Sequence, residues 1–269
     1  MIHSLGMKRI LLKPGRGLKK LGLGGLGWLL KHMPGDRWEL ISGPLTYNRE
    51  GLATVTNCDF LNDPRFQEAY RLGEETGSWQ DAKIHWRLHV LCWAAEKASR
   101  LEGDFVECGV NRGGSARAVM HFVDFPRLGK IFYLLDTFRG LEDRLVSDAE
   151  RKRGIGVGKW FQYEECYEEV CRTFEGLPVV IVRGVVPETL PQVKAAKVCY
   201  LSIDMNCAAP EIAAAEYFWD KLVPGAVIVL DDYGWKSHYE QKLAFDRFAA
   251  QKGVMILNLP TGQGLIFKP

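Results

Sequence analysis

The stretch DFVECGVNRGGS, Asp104–Ser115, decides the fold. Phe105-Val106 is a short apolar run that Glu107 closes. Gly109, Gly113 and Gly114 then make a turn, and Ser115–Met120 reads as the start of a helix. Strand, glycine turn and helix together open a nucleotide-type α/β fold. Glycines let a backbone approach a ligand closely and adopt positive φ. The helix N-terminus adds unpaired N–H groups beside them. The spacing is not G-x-G-x-x-G, so a dinucleotide pyrophosphate site is not indicated. The acidic Glu107 at the strand end argues further against a phosphate and against a nicotinamide dehydrogenase. A carboxylate there suits a cationic or amino-bearing ligand.

Downstream of this turn, apolar strands and helices alternate. Strands are expected at Phe105–Val110, Ile131–Asp136, Val179–Arg183, Val198–Ile203 and Ala226–Leu230. Helices are expected at about Ser115–Asp124, Glu164–Phe174, Pro210–Leu222 and His238–Gln251, with a short helix or turn at Thr189–Val193. Pro224-Gly225 is read as a break. Residues Thr137–Trp160 form a long polar connection of the kind that often serves as a lid. Met255–Leu259 and Gly264–Lys268 flank only four residues and should pair as an antiparallel hairpin. The fold class that follows is α/β, a Rossmann-like, doubly wound sheet, mostly parallel and covered on both faces.

Upstream the pattern changes. Residues 1–31 hold seven Lys/Arg, seven glycines and no acid. This segment reads as a tail or weak helix, with weak membrane-surface contact as the functional alternative. A secretory signal does not fit, because glycines interrupt its apolar core. Residues 32–60 are loop-like. Asp63-Pro64 starts a helix to about Glu75, and a second runs over roughly Ala82–Arg100 with Trp86, Val90, Trp93 and Ala94 on its buried face. The expected division is thus a basic extension and loop over 1–60, a helical cap over 61–103, and the main domain over 104–269.

The bulk numbers agree with a globular chain. Of 269 residues, 47% are hydrophobic and 25% charged, and the net charge is +2, which gives no nucleic-acid signal. Seven cysteines without a C-x-x-C pair fit a reduced, cytoplasmic protein better than a disulfide framework or a zinc site. No apolar run reaches the roughly 18–20 residues needed to span a bilayer.

Parallel sheets bind ligands at the C-terminal ends of their strands. Here those ends carry Glu107, Asp136, Asp204 and Asp231-Asp232. Buried strand ends do not gather anions unless something neutralises them. Asp136 is placed to accept hydrogen bonds from a ribose diol, or alternatively to cap a helix together with Thr137. Asp204, Asp231 and Asp232 either hold a divalent cation such as Mg²⁺ through oxygen ligands, or divide between capping and solvent. His238 is the best-placed candidate base. His85 and His89 could reach the rim from the preceding helix, and His121 reads as a surface or packing residue.

Four motifs in order carry a resemblance: FVECGVNRGGSA at Phe105–Ala116, LLDTFRGL at Leu134–Leu141, PETLP at Pro187–Pro191 and PGAVIVLDDYG at Pro224–Gly234. Over residues 80–269 the chain resembles the macrocin O-methyltransferase (TylF/MycF) family of class I S-adenosylmethionine-dependent enzymes, which includes the sugar methyltransferase of the novobiocin pathway. The resemblance implies a seven-stranded sheet with one antiparallel strand. It also implies that Glu107, Cys108, Gly109, Asn111, Gly113 and Ser115 surround the amino-acid part of S-adenosylmethionine. Asp136 and Thr137 would hold the ribose, and Arg183, Gly184 and Val185 would lie near the adenine. Asp204 would border the cofactor as well. By the same resemblance Asp204, Asp231 and Asp232 bind Mg²⁺; Asp204 and, from its place six residues after the acidic pair, His238 are the candidate catalytic residues.

The implied activity is metal-assisted O-methylation of a sugar hydroxyl on a metabolite or glycan. A phenolic O-methyltransferase and a non-catalytic cofactor-binding module are the alternatives. The expected partners are a small-molecule or glycan acceptor and further copies of the chain, not nucleic acid. One departure stands out. Where the family commonly has Asp-Gly-Asp, this chain reads Asp204-Met205-Asn206, and Asn206 cannot take a proton at neutral pH.

Overall fold

A computed structural model describes residues 44–158 and 161–269. The basic segment 1–31 and residues 32–43 of the loop lie outside the described residues. A two-stranded hairpin, β1 (Tyr47–Arg49) and β2 (Leu52–Thr54), leads into two helices, α1 (Pro64–Glu74) and α2 (His85–Ala98). Asp63 caps α1 by accepting from the Arg65 N–H at 2.8 Å, with Pro64 at the first helical position, as the Asp-Pro pair predicts.

The alternating region follows as β3 (Asp104–Cys108), α3 (Gly114–Phe122), β4 (Phe132–Asp136), α4 (Asp148–Lys152), α5 (Tyr167–Thr173), β5 (Val179–Arg183) and β6 (Val198–Ile203). It closes with α6 (Ala208–Trp219), β7 (Leu222–Leu230), α7 (Tyr239–Lys252), β8 (Leu257–Asn258) and β9 (Gly264–Phe267). Seven strands form one sheet in the order β5-β4-β3-β6-β7-β9-β8. Strands β3 to β7 run parallel, whereas β9 is antiparallel to both β7 and β8, so the closing hairpin is present as expected.

Alternation along each strand builds two apolar layers. Phe105, Phe132 and Tyr200 face the layer covered by α1, α2 and α3, where Phe105 and Tyr200 stack at 4.7 Å. Val106, Leu135, Leu201 and Ile228 face the opposite layer, closed by Phe218 of α6 and Phe245 of α7. Burial on both faces explains why these strands read as continuous apolar runs rather than as alternating ones. The helices α1 and α2 belong to the same compact unit as the sheet.

Three local expectations are corrected. Pro224-Gly225 does not break the chain between helix and strand, because β7 begins at Leu222 and runs through both residues. The pairing of β6 with β7 advances from Val198↔Leu222 to Tyr200↔Val227, so a bulge absorbs the proline, with Gly225 at φ +83°. The buried face of α2 is Leu88, Leu91, Cys92, Ala94, Ala95 and Ala98, while Trp93 is 42% exposed. This helix is apolar around most of its circumference, and the small alanines rather than the tryptophans permit close approach to the sheet. The connection after β4 is not wholly irregular either. Ser147 and Glu150 form a capping box that starts α4, and the same Glu150 accepts from the Ala208 N–H at 2.7 Å. Among the described residues, no helix is long and apolar enough to cross a membrane.

Candidate active site

The C-terminal rim of the parallel strands opens into a cavity of about 560 Å³. Its lining includes Glu107, Asn111, Ser115, Asp136, Asp204, Asp231, Asp232 and His238. A smaller cavity of about 70 Å³ adjoins it and is lined by Leu135, Thr137, Leu141, Gly184, Val185, Met205 and Pro210. Gly109, Asp136, Tyr163, Asp204 and Asn206 border both spaces. The rim residues expected from sequence are therefore gathered around one continuous hollow.

The glycine turn is shaped for that hollow. Gly109 has φ +91°, and a side chain there would run into the Asp204 carbonyl. Gly113 sits at φ +87° in front of α3, where a Cβ would meet the Phe174 ring at 2.5 Å. Glu107 is 2% exposed, and its Oε2 has no hydrogen-bond partner. Burial, reinforced by Asp204 and Asp136, holds its carboxyl well above the usual range. A buried, unpartnered carboxylate oxygen beside a cavity is suited to an ammonium group.

Asp136 is heavily engaged. Its Oδ2 accepts the Val110 and Asn111 N–H groups at 2.6 and 2.9 Å. Its Oδ1 accepts the Phe138 N–H at 2.6 Å and the Tyr163 hydroxyl at 3.0 Å. The residue thus clamps the glycine turn to the end of β4. Its lone pairs reach a ligand only where one of these donors, most readily the Tyr163 hydroxyl, gives way. Thr137 turns inward to the Gly140 carbonyl at 2.6 Å.

Two expected cofactor contacts fall elsewhere. Cys108 points into the apolar layer beneath α6 and α7, and only its carbonyl serves the rim, accepting the Asp204 N–H at 2.8 Å. The Arg183 side chain turns to Glu165 at 3.1 Å and to the Tyr167 ring at 4.8 Å, leaving Gly184 and Val185 to line the smaller cavity. His85 and His89 do not reach the rim. Each stacks at 4.1 Å on an aromatic ring, Tyr70 and Phe60 respectively, and burial pushes both imidazoles below their ordinary pKa.

Elsewhere on the rim, Asp204, Asp231 and Asp232 converge with carboxylate oxygens within 4.8 Å of one another. Burial, then the neighbouring Asp232 carboxylate, pushes the Asp204 carboxyl up to about 7. Asn206, at φ +61°, turns its Nδ2 back to donate to Asp204 Oδ1 at 3.2 Å. Asn adopts this left-handed conformation readily, and its amide offers the donor that an aspartate lacks. His238 is 8% exposed. Its Nδ1 meets the Ser237 hydroxyl at 2.9 Å, and its Nε2 lies 3.4 Å from Asp232 Oδ2 without an aligned hydrogen bond.

Arg87, which sequence reading did not single out, enters this cluster from α2. Its Nε donates to Asp231 Oδ1 at 3.3 Å, its Nη2 forms an ion pair with Asp231 Oδ2, and its Nη1 donates to Glu50 at 2.8 Å. Burial opposes its charge, but Glu50, Asp232 and Asp204 outweigh that cost and hold its pKa above the ordinary value. Gln263, fully buried, donates to Asp231 Oδ1 at 3.2 Å and to the Arg87 carbonyl at 3.3 Å. The available signal was one of phase. Arg87 falls four residues before Leu91, on the buried side of α2, where a lone arginine needs a buried partner.

The sequence profile described as Macrocin-O-methyltransferase (TylF) matches residues 85–257. The chain belongs to the TylF family. Its membership agrees with the seven-stranded order, the closing antiparallel hairpin and the acidic rim. The O-methyltransferase NovP superposes with a TM-score of 0.59 at 21% identity, covering 68% of this chain and 79% of that one. CalS11, a calicheamicin methyltransferase, superposes with a TM-score of 0.52 at 16% identity, covering 79% and 94%. At such identities these likenesses concern the fold. No curated protein sequence matches the chain at a significant level.

Two groups implied by TylF membership can be tested against the residues present. S-adenosylmethionine fits, because the unpartnered Glu107 oxygen beside the cavity suits its ammonium group and the acidic rim suits its sulfonium charge. A divalent metal fits less well. The three aspartates have the right spacing, but Arg87 and Gln263 both donate to Asp231 Oδ1 and the Arg87 charge already stands in the cluster.

Proposed function

We propose that the protein is an S-adenosylmethionine-dependent O-methyltransferase acting on a hydroxyl of a sugar moiety in a glycosylated metabolite or glycan. The observation that carries this reading is the cavity itself. A rim of carboxylates, one of them buried and unpartnered, borders a hollow that ends in an imidazole–carboxylate pair. An acidic rim suits a sulfonium cofactor and repels a nucleotide phosphate.

Glu107 receives the ammonium of the amino-acid part, with Asn111 and Ser115 beside it. Asp136 holds the ribose once the Tyr163 hydroxyl is displaced. Gly184 and Val185 border the smaller cavity, which takes the adenine. S-adenosylmethionine supplies an electrophilic methyl group, and its sulfonium becomes a neutral thioether.

His238 provides the base. With Nδ1 paired to Ser237, its Nε2 faces the Asp232 carboxylate. In the tautomer that donates from Nδ1 to Ser237, two groups that both accept protons lie 3.4 Å apart. An acceptor hydroxyl placed between them relieves that opposition. Its proton passes to Nε2 as its oxygen forms the bond to the methyl carbon, and Asp232 stabilises the imidazolium. Alignment of the hydroxyl with the methyl group contributes the remaining rate.

The sugar acceptor follows from the family resemblance. It is also supported by polar groups at the open side of the cavity. Trp235 Nε1 is buried without a partner, and Ser237, Glu50 and Arg87 lie nearby in the lining. A binding module without chemistry is disfavoured, because Asn206 has a positioning role on Asp204 and His238 remains as a base. Magnesium assistance is not carried into this reading, because Arg87 and Gln263 engage Asp231. Incubation with methyl-labelled cofactor and panels of glycosides and catechols tests the proposal. Labelled glycoside supports it, labelled catechol transfers the reading to phenolic acceptors, and no labelled product from either panel removes it.

A further inference from the structure

The convergent aspartates and the packing around them disagree at one residue, and the resulting inference rests on the methyltransferase reading above. Asp204, Asp231 and Asp232 bring their oxygens within 4.8 Å of one another, close enough for an all-oxygen cation site. Two of the three, Asp204 and Asp231, nevertheless face a donor group of this chain. Asp204 accepts from Asn206 at 3.2 Å. Asp232 has the His238 ring nitrogen at 3.4 Å. Asp231 Oδ1 accepts from Arg87 Nε at 3.3 Å and from Gln263 at 3.2 Å, and its Oδ2 lies against Arg87 Nη2 as an ion pair.

Arg87 is also fixed from its far side. Glu50 accepts from Nη1 at 2.8 Å, and Gln263 ties the Arg87 carbonyl to the same Asp231 oxygen. A planar fork held on two carboxylates is a rigid arrangement that a lysine could not reproduce. Mg²⁺ requires near-octahedral geometry with carboxylate lone pairs directed at the ion. The Oδ1 lone pairs of Asp231 are directed at Arg87 and Gln263 instead, and the guanidinium charge stands against Oδ2. Asn206 lowers the negative charge of the cluster further, and the same substitution supplies the donor for Asp204.

We propose that Arg87 is the resident cation of this site: held between Asp231 and Glu50, its guanidinium takes the place a divalent metal would need, and methyl transfer proceeds without one. Arg87 acts as a positioning residue. It holds Asp231 and the adjoining Asp232, and through Asp232 it fixes the carboxylate opposite His238. It transfers no proton itself, and the acceptor's proton still goes to His238.

The decisive experiment titrates the full-length protein with Mn²⁺, following free ion by electron paramagnetic resonance, with S-adenosylmethionine affinity measured separately by calorimetry. The wild-type protein should leave millimolar Mn²⁺ free, and Arg87→Gln should bind one equivalent with affinity raised by about tenfold or more, since it opens three carboxylates to the ion. Stoichiometric Mn²⁺ binding by the wild type would overturn the proposal. So would a folded Arg87→Gln protein that still binds none. Should that variant fail to fold, the double substitution Glu50→Gln/Arg87→Met removes one charge of each sign and takes its place with the same expectation. Methyl transfer by the wild type in excess EDTA should be unchanged, and loss restored by Mg²⁺ would count against Arg87. Absence of cofactor binding would instead remove the methyltransferase reading, and the Mn²⁺ titration would still decide what Arg87 excludes.

Discussion

His238 Nε2 stands 3.4 Å from Asp232 Oδ2, while Ser237 occupies the other ring nitrogen at 2.9 Å. This places an imidazole nitrogen at the rim of the cavity with an anion beside it. Replacing His238 with Gln should lower kcat by about 10²–10⁴-fold, the range of a lost general base. Cofactor affinity should stay within a few-fold of wild type. A variant with near-normal kcat would transfer the base role to another group.

Asp136 and Tyr163 make a second, separable prediction. Asp136→Ala removes the clamp on Val110 and Asn111 together with the ribose acceptor, so calorimetry should show cofactor binding abolished. Tyr163→Phe removes only a competing donor to Oδ1. Its affinity should equal or exceed that of wild type by up to about fivefold, the worth of one ordinary hydrogen bond. Unchanged affinity in Asp136→Ala would sink the ribose assignment. A large loss in Tyr163→Phe would mean that Tyr163 binds the cofactor rather than standing in its way.

Asn206→Asp tests the balance of charge around Asp204. The substitution replaces a donor at 3.2 Å with a second carboxylate, next to a group already pushed up to about 7. Both Asn and Asp tolerate positive φ, so the backbone gives no reason for a change. The variant should be less stable than wild type at pH 8 and approach it near pH 5, where the pair can hold a proton. Thermal melts across that range check this, and a pH-independent difference would contradict it.

Glu211 offers a test of pH dependence away from the chemistry. It is buried on α6, accepts from the Met205 N–H at 2.9 Å and from Gln241 at 2.7 Å, and burial pushes its pKa up from 4.5 to about 8. The folded chain therefore binds more protons than the unfolded chain between those two values. By linkage, stability falls as pH rises through that window. Glu211→Gln should flatten this decline and melt higher than wild type at pH 8–9. Parallel melting curves for the two proteins from pH 5 to 9 would refute the assignment.

Much of the scaffold was legible because buried parallel strands leave a strong signal. Val198–Ile203 and Val179–Arg183 are apolar runs bounded by turns, and both strands fall where the sequence places them. The rim was legible for a related reason, since Glu107, Asp136, Asp204 and Asp231-Asp232 stand immediately at strand ends. Pro224-Gly225 was misread because a proline in a strand ordinarily marks its limit, and only the pairing with β6 shows the bulge that accommodates it. Arg87 was missed for a different reason. Its partners Glu50 and Asp231 lie 37 and 144 residues away in sequence, so nothing local announces the cluster. The Tyr163–Asp136 bond is hidden in the same way, across a connection that reads only as polar loop.

The central claim is that this acidic hollow holds a sulfonium cofactor. Calorimetric titration of the full-length protein with S-adenosylmethionine tests it most directly. One site per chain is expected, with a free energy of about −8 kcal/mol, equivalent to a micromolar dissociation constant. Absence of binding up to millimolar cofactor, from a protein shown to be folded, would contradict it.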